Sequence, residues 1–443
     1  MRQPAPISGY DIPNLSSKRR GLDRGAPTRK PDMLSYLDIK DVGPASRMRM
    51  ELSSRINIIT GDNGLGKSFL LDVAWWALTR TWARGKVLPH QPPSEPSLGY
   101  GFDGKSELIN RTSKFDRRTQ EWKILQSRPA IPGIVLYAQV DGGFSVWDPA
   151  RNYWQKEMPN RPSAYLFSSQ EIWEGNEHCE GLIRDWASWQ REESDAYEQF
   201  KRVLSQLSPS SNELLVPGEL RKISIDDPKR YPTIRMPYGE EVPIIHASAG
   251  MRRVIALAYL LVWTWQEHWV NIAMRQERSA KEIIFLIDEV EGHLHPQWQR
   301  RIVPALLDVM DALTGSHEVS VQLITATHSP LVLASVESRF DKEKDSWFDL
   351  NFNGETREVT LEKRAFYRQG DISDWLTSEA FDLKQARSLE AEVALTEALA
   401  LLRVESPAIG DIERVDTLLR NSLSGIDRFW ARWSEFRKRQ EVG

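Results

Sequence analysis

Cysteine is nearly missing: Cys179 stands alone among 443 residues, so no intrachain disulfide can form, and with only His178 beside it a zinc site is out of reach. A reducing, cytoplasmic compartment is expected. Long apolar runs are missing too. The longest, Val254 to Trp265, covers 12 residues, too few to cross a bilayer, and no apolar stretch near the N-terminus reads as a signal peptide. Neither charge sign dominates, with 58 basic against 62 acidic side chains and a net charge of −4, which excludes wholesale coating of nucleic acid. No internal repeat and no heptad run is present, which excludes a solenoid and a long coiled coil. What is plentiful is ordinary apolar residues (40%) and tryptophan (17), the composition of a folded globular chain.

Along the chain, residues 1–32 carry scattered prolines and arginines without apolar periodicity. They are expected to form a flexible tail, solvated or in contact with a partner or nucleic acid. From Leu34 the pattern becomes strand-like, and Ile56 to Thr60 runs straight into a glycine-rich turn. Ile134 to Val140 and Phe144 to Trp147 flank Asp141-Gly142-Gly143, a hairpin signal that points to an antiparallel β patch. Residues 176–207 have a helical rhythm, residues 222–245 read as short strands broken by prolines, and a long alanine- and leucine-rich helix follows Ser248. The strands Ile283–Ile287 and Val319–Thr325 come next, and the last 60 or so residues read as helices.

The chemistry is concentrated in four short strings. Gly61-Asp62-Asn63-Gly64-Leu65-Gly66-Lys67-Ser68 fits G-x-x-x-x-G-K-S between a buried strand and a helix. Its glycines allow backbone N–H groups to turn inward around phosphate oxygens, Lys67 reaches the β/γ-phosphates and Ser68 ligates Mg²⁺. Gly61, Asn63, Gly64, Gly66, Lys67, Ser68 and Phe69 are therefore the expected ATP-binding residues. The apolar run Ile283–Ile287 ends in Asp288-Glu289: the first carboxylate is placed to hold the Mg²⁺ shell, the second to act as general base toward an attacking water. Thr325-Ala326-Thr327-His328-Ser329-Pro330 closes another apolar strand, where His328 can contact the γ-phosphate. Finally, Ala247-Ser248-Ala249-Gly250-Met251-Arg252-Arg253 opens the long helix, either as a second anion site through Ser248 and Gly250 or as a plain N-cap.

In this order, with Ser169-Gln170 between them, the motifs resemble the ABC-type ATPase heads of the Rad50, SMC, RecF and OLD families, over roughly residues 33 to 335. The strings Glu291-Gly292-His293-Leu294-His295-Pro296 and Asp374-Trp375-Leu376-Thr377-Ser378 are most similar to ATPase subunits of the Septu, ATPase-bearing retron and PARIS phage-defence systems. The resemblance implies an α/β fold: an ABC-type P-loop head at 33–380 with an antiparallel β lobe and a helical insertion at 176–207, then a helical C-terminal region at 381–443. It implies that Gln170 touches Mg²⁺ and the attacking water and that His328 is the switch histidine. Ser248 and Gly250 would act in trans on nucleotide held by another subunit, in a head-to-tail dimer or higher homo-oligomer. A phage-derived trigger and a separately encoded effector, a nuclease, are the implied partners.

The chain between Ser68 and Ser248 carries no heptads, so a long-armed DNA tether is not expected. After Ser329 there is no Asp-x-Asp pair, and His328 is the last histidine, so no nuclease activity is expected within this chain. His293 and His295 have H-x-H spacing without a supporting cluster. The stripe Ile426, Phe429, Trp430, Trp433 and Phe436 on a basic helix suits docking on the core, a subunit or effector contact, or nucleic acid. The competing function is a RecF- or Rad50-like repair ATPase that clamps DNA directly; it predicts salt-sensitive duplex binding and DNA-stimulated hydrolysis.

Overall fold

Strand-forming residues come first. Alternating burial in β1 (Leu34–Val42) and β2 (Ala45–Glu51) marks a sheet with one face on the core and one in water. These two pair antiparallel with β4 (Ser97–Asp103), β5 (Leu108–Asp116) and β6 (Glu121–Trp122) in the order β2-β1-β4-β5-β6. The computed structural model describes residues 33–442 apart from 104–107, 125–132, 153–161, 277, 316–318, 382 and 405–406. The expected tail at 1–32 lies outside the described residues.

A second sheet holds the core. β3 (Ile56–Gly61), β7 (Ile134–Ala138), β15 (Glu282–Ile287), β16 (Ser320–Ala326) and β17 (Asp345–Asn353) run parallel in it. β8 (Phe144–Trp147), β9 (Tyr165–Phe167) and β18 (Glu358–Arg364) are antiparallel edges, giving the order β18-β17-β3-β16-β15-β7-β8-β9. Every residue of β15 is buried, as a strand covered on both faces requires. The fold is mixed α/β, with an antiparallel lobe, a parallel core and a helical C-terminal region. The hairpin at Asp141–Gly143 is antiparallel as its sequence predicts, but β7 also pairs parallel with β15, so the hairpin belongs to the core sheet.

Helices cover both faces. α1 (Lys67–Thr79) packs under the lobe, where Trp76 meets Trp82, Tyr100 and Trp122 at ring separations of 5.5, 5.9 and 6.4 Å. On the other face α2 (Ser169–Glu174), α3 (Leu182–Glu192) and α4 (Asp195–Gln206) share the main core with α5 (Ala249–Arg275). Residues 176–207 are thus built into that core through Trp186 and Phe200. Between α4 and α5 lie the short strands β10 to β14 (Val216–Pro217, Arg221–Lys222, Arg230–Tyr231, Thr233–Arg235, Glu241–Pro243). α6 (Pro296–Gln299), α7 (Ile302–Thr314), α8 (Pro330–Val336) and α9 (Ile372–Leu376) follow.

The terminal helices α10 (Leu389–Leu401), α11 (Ile409–Ser422) and α12 (Phe429–Val442) enclose a small core of their own, with Leu395, Val415, Leu419 and Trp433 at its centre. The aromatic stripe of the last helix therefore packs chiefly on its two neighbours: Trp433 and Phe436 are buried there, while Ile426 stays exposed.

β17 is joined to the start of β3 by an ion pair in which Asp345 is buried and Arg55 half-buried. Asp345 accepts from Arg55 Nε at 2.9 Å, from the Ile56 amide at 3.1 Å and from the Asp341 amide at 2.7 Å. Asp345→Ala strands these donors, the buried Ile56 amide among them, and is expected to cost about 1–3 kcal/mol, read as a lower denaturant midpoint against wild type.

Candidate nucleotide site

The parallel strands all end at one edge of the sheet, and the crevice beyond their carboxyl ends is where open α/β sheets bind ligands. Ile287 pairs with Ala138 on one side and Thr325 on the other, and Ala326 pairs with Ile59. The loops carrying Gly61–Ser68, Thr327-His328, Asp288-Glu289 and Gln139-Val140 therefore meet there. The Asp288 strand is not adjacent to the glycine-loop strand, because β16 runs between them. The residues converge through the loops.

Gly61, Gly64 and Gly66 have φ of +131°, +81° and +103°, a region that only glycine enters freely. Gly66 caps α1 without any side-chain acceptor, so the first-turn amides of Lys67, Ser68 and Phe69 are available to an anion. Asn63 and Gly64 are exposed at the loop tip. Lys67 is buried and folds back, Nζ donating to the carbonyls of Gly61 at 2.6 Å and Asp62 at 2.8 Å. Burial lowers its pKa, against the pull of Glu289, Asp288 and Asp62. The ring of Phe69 packs against Gly43 in the β1–β2 turn, where a Cβ would come within 2.6 Å of it. Its backbone amide, not its ring, is the group offered to a ligand.

Asp288 is buried, and neither carboxylate oxygen meets a donor at hydrogen-bonding geometry. Burial raises its pKa, while the nearby Ser68 hydroxyl and Arg84 hold it down. An orphaned buried carboxylate beside a P-loop hydroxyl suits a hard divalent cation. Glu289 adopts a left-handed backbone, φ +48°, the kind of strain that persists where surrounding contacts enforce it. Its Oε1 lies 3.7 Å from His328 Nε2. Burial, then the Lys67 charge, lowers the His328 pKa, favouring the neutral ring.

The two remaining expected contributors are Gln170 and the α5 start. Gln170 lies exposed on α2, its amide donating to Glu174 at 2.9 Å. The glutamine at a strand end beside Asp288 is Gln139: the Asp288 amide donates to the Ala138 carbonyl at 2.9 Å, and the Gln139 side chain donates to Ser145 at 2.8 Å. Ser248 caps α5, accepting from the Met251 amide at 3.3 Å, and is exposed, as is Ala249; Gly250 is buried, and a Cβ there would sit 2.7 Å from the His293 carbonyl. His295 serves as the N-cap of α6, and among the described residues no group of three or more His, Cys, Asp or Glu side chains is gathered as a metal site.

Three further residues join the site. Arg84 binds Asp72 at 3.0 and 2.8 Å, touches the Ser68 carbonyl and Tyr137 hydroxyl at 3.3 Å, and stands 3.7 Å from Asp288. Glu291 accepts from Thr327 Oγ1 at 2.8 Å and from the His328 amide, fixing the histidine's backbone; burial raises its pKa. Arg253 donates to the carbonyls of Val140, Asp288 and Glu289. Arg84 stands outside every motif, while Glu291 and Arg253 lie in strings that do not reveal which groups those side chains bind.

The chain is similar over short stretches to proteins of named systems. It is 36% identical over 104 residues to "Retron Vc95 probable ATPase" of Vibrio cholerae, covering 23% of this chain and 17% of the relative. It is 28% identical over 137 residues to "Septu protein PtuA" of Bacillus mycoides, 31% and 16% of the two chains, and 32% identical over 102 residues to "Retron Ec83 probable ATPase" of Escherichia coli, 23% and 15%. The matched stretches thus span less than a fifth of these relatives. Among solved structures, the SMC head domain from Thermotoga maritima superimposes with a TM-score of 0.38 at 16% identity, covering 75% of this chain and 99% of that one. The recombination mediator RecF does so at 0.38 and 13%, covering 76% and 99%. The fold assignment rests instead on the sheet order and the P-loop geometry. No helix among the described residues is long and apolar enough to cross a membrane. From the strand that enters the glycine loop to the helix after His328, residues 56–334, the chain matches and belongs to the ATPase family described as "AAA domain, putative AbiEii toxin, Type IV TA system".

Proposed function

We propose that this protein is a Mg²⁺-dependent ATPase whose head-to-tail oligomers act as a switch in antiviral defence, governing a separately encoded nuclease effector in response to a phage-derived trigger. The observation that carries the catalytic part is Asp288, buried beside Ser68 with only a loose ion pair to Arg84 at 3.7 Å, while Glu289 and His328 face the same edge. The defence role is supported by similarity to the retron and Septu proteins.

The glycine-loop amides and Lys67 hold the β- and γ-phosphate oxygens of ATP, Lys67 leaving its two loop carbonyls to do so. Ser68 and Asp288 would hold Mg²⁺, with Gln170 the third residue implied by resemblance and Gln139 the one already beside Asp288. Bound there, the cation would neutralise phosphate charge. Glu289 takes a proton from water as its oxygen bonds the γ-phosphorus, and the bond to the β–γ bridging oxygen breaks, leaving ADP and phosphate. Neutral His328 donates toward a γ-phosphate oxygen. Ser248 and the α5 amides, exposed at a helix start, are offered to a neighbouring subunit's nucleotide.

Phosphate release by the purified chain tests this. Hydrolysis is expected in Mg²⁺, abolished by excess EDTA and restored by adding Mg²⁺ back. Absence of turnover in Mg²⁺ at every protein concentration would overturn it. Co-purification of the adjacent gene's product tests the effector; DNA-stimulated turnover would instead favour the DNA clamp.

A further inference from the structure

We propose that Arg253 couples the two half-sites of this ATPase, tying the helix end offered to a neighbouring subunit's nucleotide to the backbone that aims Glu289 at the chain's own. The inference rests on the oligomeric ATPase reading above. Arg253 lies on α5, in the helical turn that follows Ser248. Its Nη1 donates to the Val140 carbonyl at 3.1 Å, and Nη2 donates to the carbonyls of Asp288 at 3.1 Å and Glu289 at 3.0 Å. One guanidinium thus grips the chain just beyond β7 and β15, the span where Gln139, Asp288 and Glu289 emerge. A lysine ammonium lacks the planar fork that such a grip needs.

The surroundings make the grip a coupling device. Glu289 is a non-glycine residue at φ +48°, so its backbone must be held from outside, and its carbonyl is one that Arg253 binds. A Cβ on Gly250 would lie 2.7 Å from the His293 carbonyl, and one on Gly292 would lie 3.2 Å from the Arg253 guanidinium carbon. The α5 start and the 288–293 loop therefore touch through glycines and move as one body. Beside this junction lies a half-open cleft of about 310 Å³, lined among others by Gln139, Asp141, Arg253, Leu257, Ile287 and His293. Open space there leaves the α5 start room to shift, without overpacking, when a neighbouring subunit's nucleotide engages it. The guanidinium links then carry that displacement to Glu289.

A double-mutant cycle tests this on the full-length protein, with the slowly hydrolysed analogue ATPγS in Mg²⁺ as the binding probe. Arg253→Met should lower kcat by about tenfold or more while the analogue's Kd stays within about threefold. Ser248→Ala should lower kcat in the wild-type background but change it by less than about twofold alongside Arg253→Met, since coupled residues are non-additive. Arg253→Lys should give an intermediate kcat at unchanged Kd. If the methionine variant fails to fold, the lysine variant enters the cycle with the same criterion. Additive effects, a Ser248→Ala substitution without effect in wild type, or a Kd loss equal to the kcat loss would overturn the coupling. A wild-type protein that neither binds ATPγS nor releases phosphate would overturn the ATPase reading instead.

Discussion

Glu289→Gln is expected to reduce ATP turnover by about 10²–10⁴-fold, the usual worth of a positioned general base, with ATP affinity nearly unchanged. The amide keeps the volume and the hydrogen-bonding reach of the carboxylate but cannot accept water's proton. Glu289 is partly exposed, its Oε1 lies 3.7 Å from His328, and its left-handed backbone is held by Arg253. Substitution therefore disturbs chemistry and not packing. The expected signature is a trapped ATP complex: single-turnover phosphate release disappears while equilibrium binding persists, and ATP-dependent oligomers become longer-lived. Undiminished hydrolysis would remove Glu289 from the role of base. Asp288→Asn, by contrast, should leave nucleotide binding sensitive to Mg²⁺ concentration, because it weakens the buried carboxylate next to Ser68.

Lys67→Ala is expected to weaken ATP binding by about 100-fold or more, equivalent to about 3 kcal/mol. A buried ammonium among phosphate oxygens makes charge-assisted hydrogen bonds, each worth about 1.5–3 kcal/mol. Lys67 is well placed to deliver them: it is buried, and its carbonyl partners at Gly61 and Asp62 are in the loop itself, so a small swing brings Nζ to a bound phosphate. The substitution also leaves those carbonyls without their donor, so modest loosening of the loop accompanies the loss. Titration calorimetry with ATPγS and Mg²⁺ reads the effect; an unchanged affinity would count against the whole site. Hydrolysis in this variant should fall with binding, unlike in Glu289→Gln, where the two separate.

Much of the site was legible because its parts are contiguous. Gly61–Ser68, Asp288-Glu289 and Thr327-His328 each lie at the end of an apolar strand, and a buried strand end is a local signal. The strands β17 and β18 were harder to see. β17 carries Asp345 and Asp349 among its aromatic residues, and buried acids look like loop residues until their partners are known: Arg55 for Asp345, and the Thr60 hydroxyl, donating at 2.7 Å, for Asp349. Gln170 was expected from the resemblance alone, and its side chain is turned to Glu174; Gln139 ends an ordinary strand string next to the Ala138 carbonyl that the Asp288 amide binds. Arg84 was silent for the same reason as Asp345, and the strings that hold Glu291 and Arg253 do not show what those side chains bind. Their meaning lies in partners such as Asp72, His328 and Val140, which the chain alone does not bring together.

By itself the sequence determined the phosphate loop, the acidic pair, the order of motifs and the alternation of strands and helices. These follow from residue type and short spacing: positive φ at glycines, two-sided burial of apolar strands, capping at helix starts. The tertiary structure alone decided that β16 separates the loop strand from the Asp288 strand and that the 134–147 hairpin joins the core sheet. It also decided that the last helices close on their own small core and that one arginine grips the strand ends on which the catalytic carboxylates are carried. Those features depend on groups in different elements, some more than a hundred residues apart, such as Arg253 and Val140. Packing and hydrogen-bond satisfaction choose such pairs, and no local pattern encodes them.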